Sequence, residues 1–250
     1  MPVAAKYTGC RPCELAKPMP EPLRIEISPH QSVTAMVYPA AEKHRAGVTL
    51  ILGHGAGAGQ TSDFIVSSAS GLAARGIDII TFNFLYREQG RRIPDPNDKL
   101  EACYRAVIEA VRQQMRSGRD ALAIGGKSMS GRIASQVAAA DVGDLAGLVF
   151  LGYPLHPPGK PDRLRAKHLP HIKAPMLFVQ GSRDAFGTPD ELRPIVTSLE
   201  PPAGLFVVEG GDHSFKVRKG AGVGQDDTYR AIQDHIAVWL REMVSVRRAR

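Results

Sequence analysis

The chain has 250 residues, of which 43% are hydrophobic and 23% charged, a composition typical of a globular protein with a sizeable core. Three cysteines, and the absence of an apolar run of the ~20 residues that span a bilayer, argue against a disulfide framework and a membrane protein. The formal charge of +7 is dispersed and has no interleaved aromatic residues, so neither a specific nucleic-acid partner nor a membrane partner is expected.

The first segment, residues 1–22, contains several prolines and lacks the apolar stretch that a signal peptide needs. We expect a flexible N-terminal segment there, followed by a single domain at residues 23–250 of a cytoplasmic protein. Cys10 and Cys13 form one C-x-x-C pair, which is half of a zinc site without a second half nearby. No metal site is therefore expected.

Eight apolar runs follow along the chain. Leu23–Ser28 and Val33–Tyr38 alternate in polarity around a short turn, which predicts an antiparallel hairpin at a sheet edge. The six later runs are continuously apolar, as in strands that are covered on both faces. These runs are Gly47–Gly53, Ile77–Phe84, Asp120–Gly126, Ala146–Gly152, Pro175–Gly181 and Gly204–Glu209.

Segments with helical periodicity lie between the runs. The apolar stripes of the two clearest are Leu100, Cys103, Val107, Val111 and Met115 in Asp98–Ser117, and Tyr229, Ile232, Ile236, Trp239 and Met243 in the last helix. Strands that alternate with helices predict an α/β fold with a mostly parallel sheet of about eight strands and helices on both faces. No insertion is long enough to form a large lid.

A glycine-rich loop, Gly53–Gly59, follows the third predicted strand. It formally fits the dinucleotide-binding pattern G-x-G-x-x-G/A. That fingerprint also requires an acidic residue that closes the next strand, but Asp78 opens that strand and Asn83 and Phe84 close it. A nucleotide cofactor is therefore not expected.

The segment around Ser128 admits three interpretations. Gly126-Lys127-Ser128 resembles the end of a phosphate-binding loop, but Ala121 occupies the place of the first glycine. Gly126–Ser130 also fits the nucleophile elbow G-x-S-x-G between a strand and a helix, with Ser130 in place of the last glycine. The third possibility is a β-to-α turn with Ser128 as helix N-cap.

The order of three residues along the chain favours the elbow. Ser128 follows the fifth predicted strand, Asp184 the seventh and His213 the eighth. Ser, then Asp, then His at the carboxyl ends of parallel strands is the order of the α/β-hydrolase triad. Asp212 is not expected to orient His213, because adjacent side chains in an extended segment diverge.

The same interpretation assigns the oxyanion hole to backbone amides. One comes from Met129, the residue after the nucleophile, and the other from the glycine-rich loop, either Ala56 or, as second choice, Gly57. In this mechanism Ser128 attacks a carbonyl, His213 removes its proton, and Asp184 fixes the tautomer of His213.

Five motifs together carry a family resemblance. They are His54–Gly57, Gly125–Met129, Leu151–Pro161, Gly181–Asp184 and Gly211–Phe215. The set, spread over roughly residues 47–240, resembles the dienelactone-hydrolase-like branch of the α/β-hydrolases, the group with a testis-expressed protein and a subunit of the NSL histone-acetyltransferase complex. The resemblance implies the hydrolase fold. The chain departs from the branch at Lys127, where Arg is usual, and at Ser130, where Gly is usual.

We expect a serine hydrolase of a small ester or thioester that needs no cofactor. The candidate substrate-binding residues are His54, Tyr153, His156 and Arg87. Basic residues in the loops predicted to form the pocket rim favour an acidic ester; they are Arg87, Arg91, Arg92 and Lys160.

The alternative is a catalytically weak or inactive hydrolase scaffold that acts in protein interaction. It is favoured by the altered elbow and by the interaction subunits among the relatives that the resemblance implies. The sequence predicts no oligomeric state.

Overall fold

The computed structural model describes residues 20–40, 42–114, 120–218 and 224–249. Most of the predicted N-terminal segment 1–22, with Cys10 and Cys13, lies outside the described residues, as does Met115. Glu21 and Pro22 already belong to the first strand, so the sheet begins two residues earlier than the domain boundary expected from the sequence.

Eight strands form one sheet, which confirms the predicted α/β architecture. They are β1 (Glu21–Ser28), β2 (Gln31–Tyr38), β3 (Val48–Gly53), β4 (Asp78–Phe82), β5 (Ala121–Lys127), β6 (Gly147–Leu151), β7 (Met176–Gly181) and β8 (Gly204–Val208). Their spatial order is β1-β2-β4-β3-β5-β6-β7-β8. The β1–β2 hairpin is antiparallel and lies at one edge, β2 is antiparallel to β4, and the remaining pairs are parallel.

Helices cover both faces of the sheet. They are α1 (Asp63–Ala73), α2 (Leu85–Glu88), α3 (Asn97–Gln114), α4 (Met129–Ala139), α5 (Pro189–Thr197) and α6 (Gln225–Arg248), with short 3-10 helices at Glu42–His44 and Leu169–His171. Apolar residues of α1 and α6 pack on one face, and those of α3, α4 and α5 pack on the other. No lid is evident among these described elements, and none of the helices in them has the length and apolar character of a membrane span.

Burial separates the central strands from the edge strand β8. Every residue of β3, β4, β6 and β7 is buried, as the continuous apolar runs predict. In β8 only Val208 is fully buried, because β8 has a neighbour on one side alone. The expectation that all later strands are covered on both faces is therefore wrong for β8.

Candidate active site

Ser128 lies on a sharp turn between β5 and α4. Its φ of 52° and ψ of −112° are strained for a residue with a side chain. The turn brings the chain so close to its neighbours that a Cβ on Gly126 would lie 2.6 Å from the carbonyl oxygen of Gly53. A Cβ on Gly131 would lie 2.7 Å from the carbonyl oxygen of Gly126. This strand–turn–helix geometry is the context that a nucleophile elbow requires.

Ser130 fits into the elbow because its neighbour across the turn is a glycine. A Cβ added to Gly53 would lie 2.6 Å from the Ser130 Cβ, so the serine occupies space that Gly53 leaves empty. The Ser130 hydroxyl is fully buried and donates to the Lys127 carbonyl oxygen at 3.1 Å. The turn is thus formed with a serine where the motif has its last glycine.

The structure brings Ser128, His213 and Asp184 into one hydrogen-bonded chain. The His213 Nε2 lies 2.8 Å from the Ser128 Oγ, and its Nδ1 lies 2.7 Å from the Asp184 Oδ2. Because a carboxylate oxygen only accepts, Nδ1 carries the ring proton and Nε2 is free to accept the serine proton. Distances of ~2.6–3.2 Å are those required between a nucleophile and its base.

The Asp184 carboxylate is buried and held by two further donors. Its Oδ2 accepts from the Gln180 side-chain amide at 2.8 Å, and its Oδ1 accepts from the Phe186 backbone N–H at 2.8 Å. Gln180 is fully buried at the end of β7 and also donates to the carbonyl oxygen of Gly187. These contacts fix the carboxylate towards His213. Gln180 was not predicted as a functional residue, although it is the one polar side chain in the apolar strand β7.

The His213 ring is positioned by its own loop and by a stacked aromatic ring. The Phe186 ring stacks on the imidazole with a centroid-to-centroid distance of 4.2 Å and an angle of 30° between the ring planes. Asp212 turns away from His213 and accepts from the backbone N–H groups of Ser214 and Lys216 at 2.8 and 2.9 Å. Asp212 therefore closes the turn that carries His213.

A cavity of about 750 Å³ opens beside Ser128 at the carboxyl ends of the strands. Ala56 and Met129 line it together with Ser128 and His213, whereas Gly57 does not. Met129 is the first residue of α4, so its N–H has no acceptor within the helix. Of the two loop amides considered from the sequence, the geometry thus favours Ala56 over Gly57.

Two of the four residues expected to bind substrate are buried elsewhere. The fully buried His54 has its Nδ1 2.8 Å from the Gly55 carbonyl oxygen, and its Nε2 accepts from the Phe84 N–H at 3.3 Å. Burial, with a smaller contribution from the charge of Arg87, lowers the pKa of His54 to about 4. Tyr153 is also fully buried, and burial raises its pKa to about 12. Neither side chain lines the cavity.

The other two expected substrate-binding residues are also absent from the cavity wall. The His156 ring lies 3.1 Å from the Glu191 carboxylate through Nε2 and 2.9 Å from the Pro157 carbonyl oxygen through Nδ1. Arg87 donates to the Arg91 carbonyl oxygen at 3.1 Å. The structure thus brings none of the four expected substrate-binding residues to the wall of this cavity.

The basic residues of the cavity wall differ from those expected at its rim. The wall contains Lys127, Arg132, Arg165 and Lys216, and none of Arg87, Arg91, Arg92 or Lys160. Arg132 could have been identified from the sequence, because it lies four residues after Ser128 in the helix that the elbow starts. Arg165 gave no such signal, because it lies in an irregular loop.

Lys127 has its ammonium group beside the backbone of His213. The Lys127 Nζ donates to the His213 carbonyl oxygen at 2.5 Å and lies 5.4 Å from the centre of the Phe215 ring. Burial lowers the pKa of Lys127 to about 8, against the opposing charges of Asp184 and Asp212. Within the described ranges there is no cluster of three His, Cys, Asp or Glu side chains able to hold a metal ion.

The sequence model of the family described as "Alpha/beta hydrolase domain" matches residues 46–241, well over half of the chain. The chain therefore belongs to the α/β-hydrolase family. Among solved structures it is similar to a dienelactone hydrolase from Anabaena variabilis, with a TM-score of 0.70 and 17% identity over 90% of this chain and 98% of the other.

Two further structures have the same fold. An α/β serine hydrolase without lid from Xanthomonas campestris matches with a TM-score of 0.67 and 21% identity over 88% of this chain and 94% of the other. Est1E from Butyrivibrio proteoclasticus, with ferulic acid bound, matches with a TM-score of 0.70 and 12% identity over 89% of this chain and 99% of the other.

Proposed function

We propose that this protein is a serine hydrolase that cleaves a small carboxylic ester or thioester through an acyl-enzyme. Ser128 is the nucleophile, His213 the general base and acid, and Asp184 the residue that orients His213. The observation that carries the proposal is the Asp184–His213–Ser128 hydrogen-bonded chain, which ends at a strained elbow in the wall of a cavity. No cofactor takes part in the proposed reaction.

The proposed reaction has two steps. First, Ser128 Oγ attacks the carbonyl carbon while His213 Nε2 takes its proton, and the leaving alcohol or thiol departs with that proton. Then water attacks the acyl-Ser128 ester while His213 Nε2 takes a proton from it, and His213 passes that proton to the Ser128 Oγ as the bond to the acyl group breaks and the carboxylic acid is released. The N–H groups of Met129 and Ala56 are proposed to donate to the oxyanion, each worth on the order of 10²–10³ in rate.

Labelling with a fluorophosphonate probe tests this proposal. The native protein is expected to be labelled, and Ser128→Ala to lose the label together with about 10⁴-fold or more of the hydrolysis rate on p-nitrophenyl and thioester substrates. Ser70→Ala, on the exposed face of α1, is the matched control and is expected to keep both the label and the hydrolysis rate. A folded native protein that takes no label and cleaves no ester contradicts the proposal.

The same experiment decides the alternative of a scaffold for protein interaction. That alternative is favoured by the interaction subunits among the relatives and by Ser130 in the elbow. The second ground is weakened because Ser130 fits opposite Gly53 and its hydroxyl donates to the Lys127 carbonyl oxygen. We therefore prefer the enzyme. Membership of the narrower branch with the testis-expressed protein, a cytoplasmic location and the single domain 23–250 remain parts of this proposal.

A further inference from the structure

Two guanidinium groups without acidic partners lie in the cavity wall. Arg132 belongs to the first turn of α4, and Arg165 to the loop that follows β6; both line the cavity that holds Ser128. In the part of the chain that the structure describes, neither forms an ion pair within 4.0 Å of a carboxylate. Both arginines are half-buried, so each guanidinium is partly withdrawn from water with no acid paired to it among the described residues.

Arg132 is one helical turn beyond the proposed nucleophile. Its backbone N–H donates to the Ser128 carbonyl oxygen at 3.1 Å. Ser128 itself precedes the helix in a non-helical conformation, and what connects Arg132 with the proposed nucleophile is that both residues line the same cavity. Its guanidinium donates to the Gln136 side-chain oxygen at 3.0 Å, and a guanidinium has further N–H donors available for a ligand.

Arg165 is fixed through its backbone instead of its side chain. Its N–H donates to the Leu155 carbonyl oxygen at 2.7 Å, and its own carbonyl oxygen accepts from the Tyr153 hydroxyl at 2.8 Å. Tyr153, the residue expected from the sequence to touch substrate, thus holds the backbone of a residue on the cavity wall. The Arg165 guanidinium makes no hydrogen bond to any described residue.

No acidic side chain among the described residues neutralises Arg132 or Arg165. Burial, and next the positive charge of Arg165, lower the pKa of Arg132. Of the acids in the wall, Asp95 is 2.6 Å from Arg91 and Asp63 is exposed. Glu101, the acid with a small opposing effect on Arg132, accepts from the Asn97 side chain.

We infer that Arg132 and Arg165 form an anion subsite that binds a carboxylate of the substrate, beside the ester group that Ser128 attacks. The inference rests on the proposed hydrolase function and narrows it: the preferred substrates are half-esters or half-thioesters of dicarboxylic acids. A carboxylate between two guanidiniums removes their repulsion and accepts charge-assisted hydrogen bonds from both.

Two p-nitrophenyl esters of the same diacid, one with a free carboxylate and one with that carboxylate methylated, test the subsite. The substrates are p-nitrophenyl hydrogen adipate, which is an anion, and methyl p-nitrophenyl adipate, which is neutral. The native protein is expected to prefer the anion in kcat/KM by about tenfold or more, and Arg165→Gln to bring the ratio close to one. Arg165→Lys, which keeps the charge without the planar fork, gives an intermediate ratio.

Arg163→Gln is the matched control for the loss of one positive charge. Arg163 is exposed on the same loop, two residues from Arg165, and does not line the cavity. We expect this variant to keep the native ratio. An equal fall of the ratio in Arg163→Gln and Arg165→Gln would mean that the general charge of the loop acts, and would overturn the subsite.

A binding measurement on Ser128→Ala decides the subsite without turnover. By calorimetry, monomethyl adipate is expected to bind about tenfold or more tightly than dimethyl adipate, and Ser128→Ala/Arg165→Gln to lose the difference. Equal binding of the two esters overturns the subsite even when the native protein hydrolyses both. If the native protein is neither labelled nor active on esters, the proposed function is overturned instead. The calorimetric comparison of the two adipate esters then still decides whether the subsite binds a carboxylate.

Discussion

Lys127 places a positive charge next to the residue proposed as general base. Its buried ammonium donates to the His213 carbonyl oxygen and faces the cavity. The titratable groups around it are Asp184 and Asp212, from the loops after β7 and β8, and His213 itself. With a pKa lowered to about 8, Lys127 is charged below that pH and becomes neutral above it.

We expect the pH profile of ester hydrolysis to reveal this titration. The charge of Lys127 strengthens its hydrogen bond to the His213 carbonyl oxygen and so anchors the loop that carries His213. In the native protein kcat/KM on p-nitrophenyl acetate should therefore fall several-fold as the pH rises through about 8. Lys127→Arg, which stays protonated, should retain its rate up to about pH 10.

Lys173→Arg is the control for this profile, since Lys173 is an exposed lysine that does not line the active-site cavity. It should reproduce the native fall. If Lys127→Arg shows the same fall above pH 8 as the native protein, another group is responsible and the role given to Lys127 is wrong.

Single residues show where sequence reasoning reaches its limit. Ser128, Asp184 and His213 were found because the carboxyl ends of parallel strands meet at one edge, so residue type and strand end predict their proximity. Tyr153 and Arg165 differ from these three: the tyrosine was expected to bind substrate, and the arginine was not singled out from the sequence. They lie on one irregular loop, whose path decides that the tyrosine points inward and the arginine faces the cavity, and no periodicity encodes that path.

At the scale of elements, the elbow requires the end of β3 and the start of α4 to pack closely against each other. Gly53 at the end of β3 and Ser130 at the start of α4 face each other, and there is room for only one of them to have a side chain. Replacing the usual glycine of the motif by Ser130 adds one polar group, the hydroxyl, and its hydrogen bond to the Lys127 carbonyl oxygen satisfies it.

A double-mutant cycle tests this constraint. Gly53→Ala places a Cβ 2.6 Å from the Ser130 Cβ, and we expect it to lower the free energy of unfolding by about 1–3 kcal/mol. Ser130→Gly removes both clashing atoms, so the double variant should regain about 1 kcal/mol or more of that loss. Urea unfolding measures all four proteins.

Gly55→Ala is the control, because its nearest neighbour would be 3.6 Å away, an ordinary contact. It should change stability far less than Gly53→Ala. Strict additivity of Gly53→Ala and Ser130→Gly would show that the two sites do not compete for the same space.

The existence of the elements was easier to predict than their arrangement. Each of the eight apolar runs overlaps a strand. The central parallel strands are apolar along their length because both faces are buried, whereas β1 and β2 are recognised by their alternating polarity. The runs do not determine the spatial order β2-β4-β3-β5, since strand pairing is a tertiary choice that neighbours in sequence leave open. The exposure of β8 follows from its edge position and could not be read from its composition.

For the whole molecule, buried histidines make stability depend on pH. The pKa of His54 and that of His168 are lowered from 6.5 to about 4, in both cases chiefly by burial. Between these pH values the unfolded chain binds protons that the folded protein does not. The stability contributed by a neutral His54 is therefore complete above pH 6.5 and is lost as the pH falls towards 4.

We expect the free energy of unfolding to decline between pH 6.5 and 4, with about 3 kcal/mol of the decline due to His54. His54→Gln, which cannot take up a proton, should have a flatter dependence over this range even if it is less stable at pH 7. His30→Gln, on the exposed turn between β1 and β2, is the control with the native slope. Urea titrations at several pH values measure the free energy of unfolding. If its dependence on pH is as steep in His54→Gln as in the native protein, the prediction for His54 is wrong.

The contact between Gly53 and Ser130 also affects how distant relatives are recognised. The motif G-x-S-x-G requires glycine at its fifth position. A search with this motif alone therefore does not find this protein, which has Ser130 there. The physical requirement is a limit on the combined volume of two positions that lie 77 residues apart in the chain. A pattern that accepts serine there whenever the third strand ends in glycine would retrieve enzymes that the shorter pattern discards.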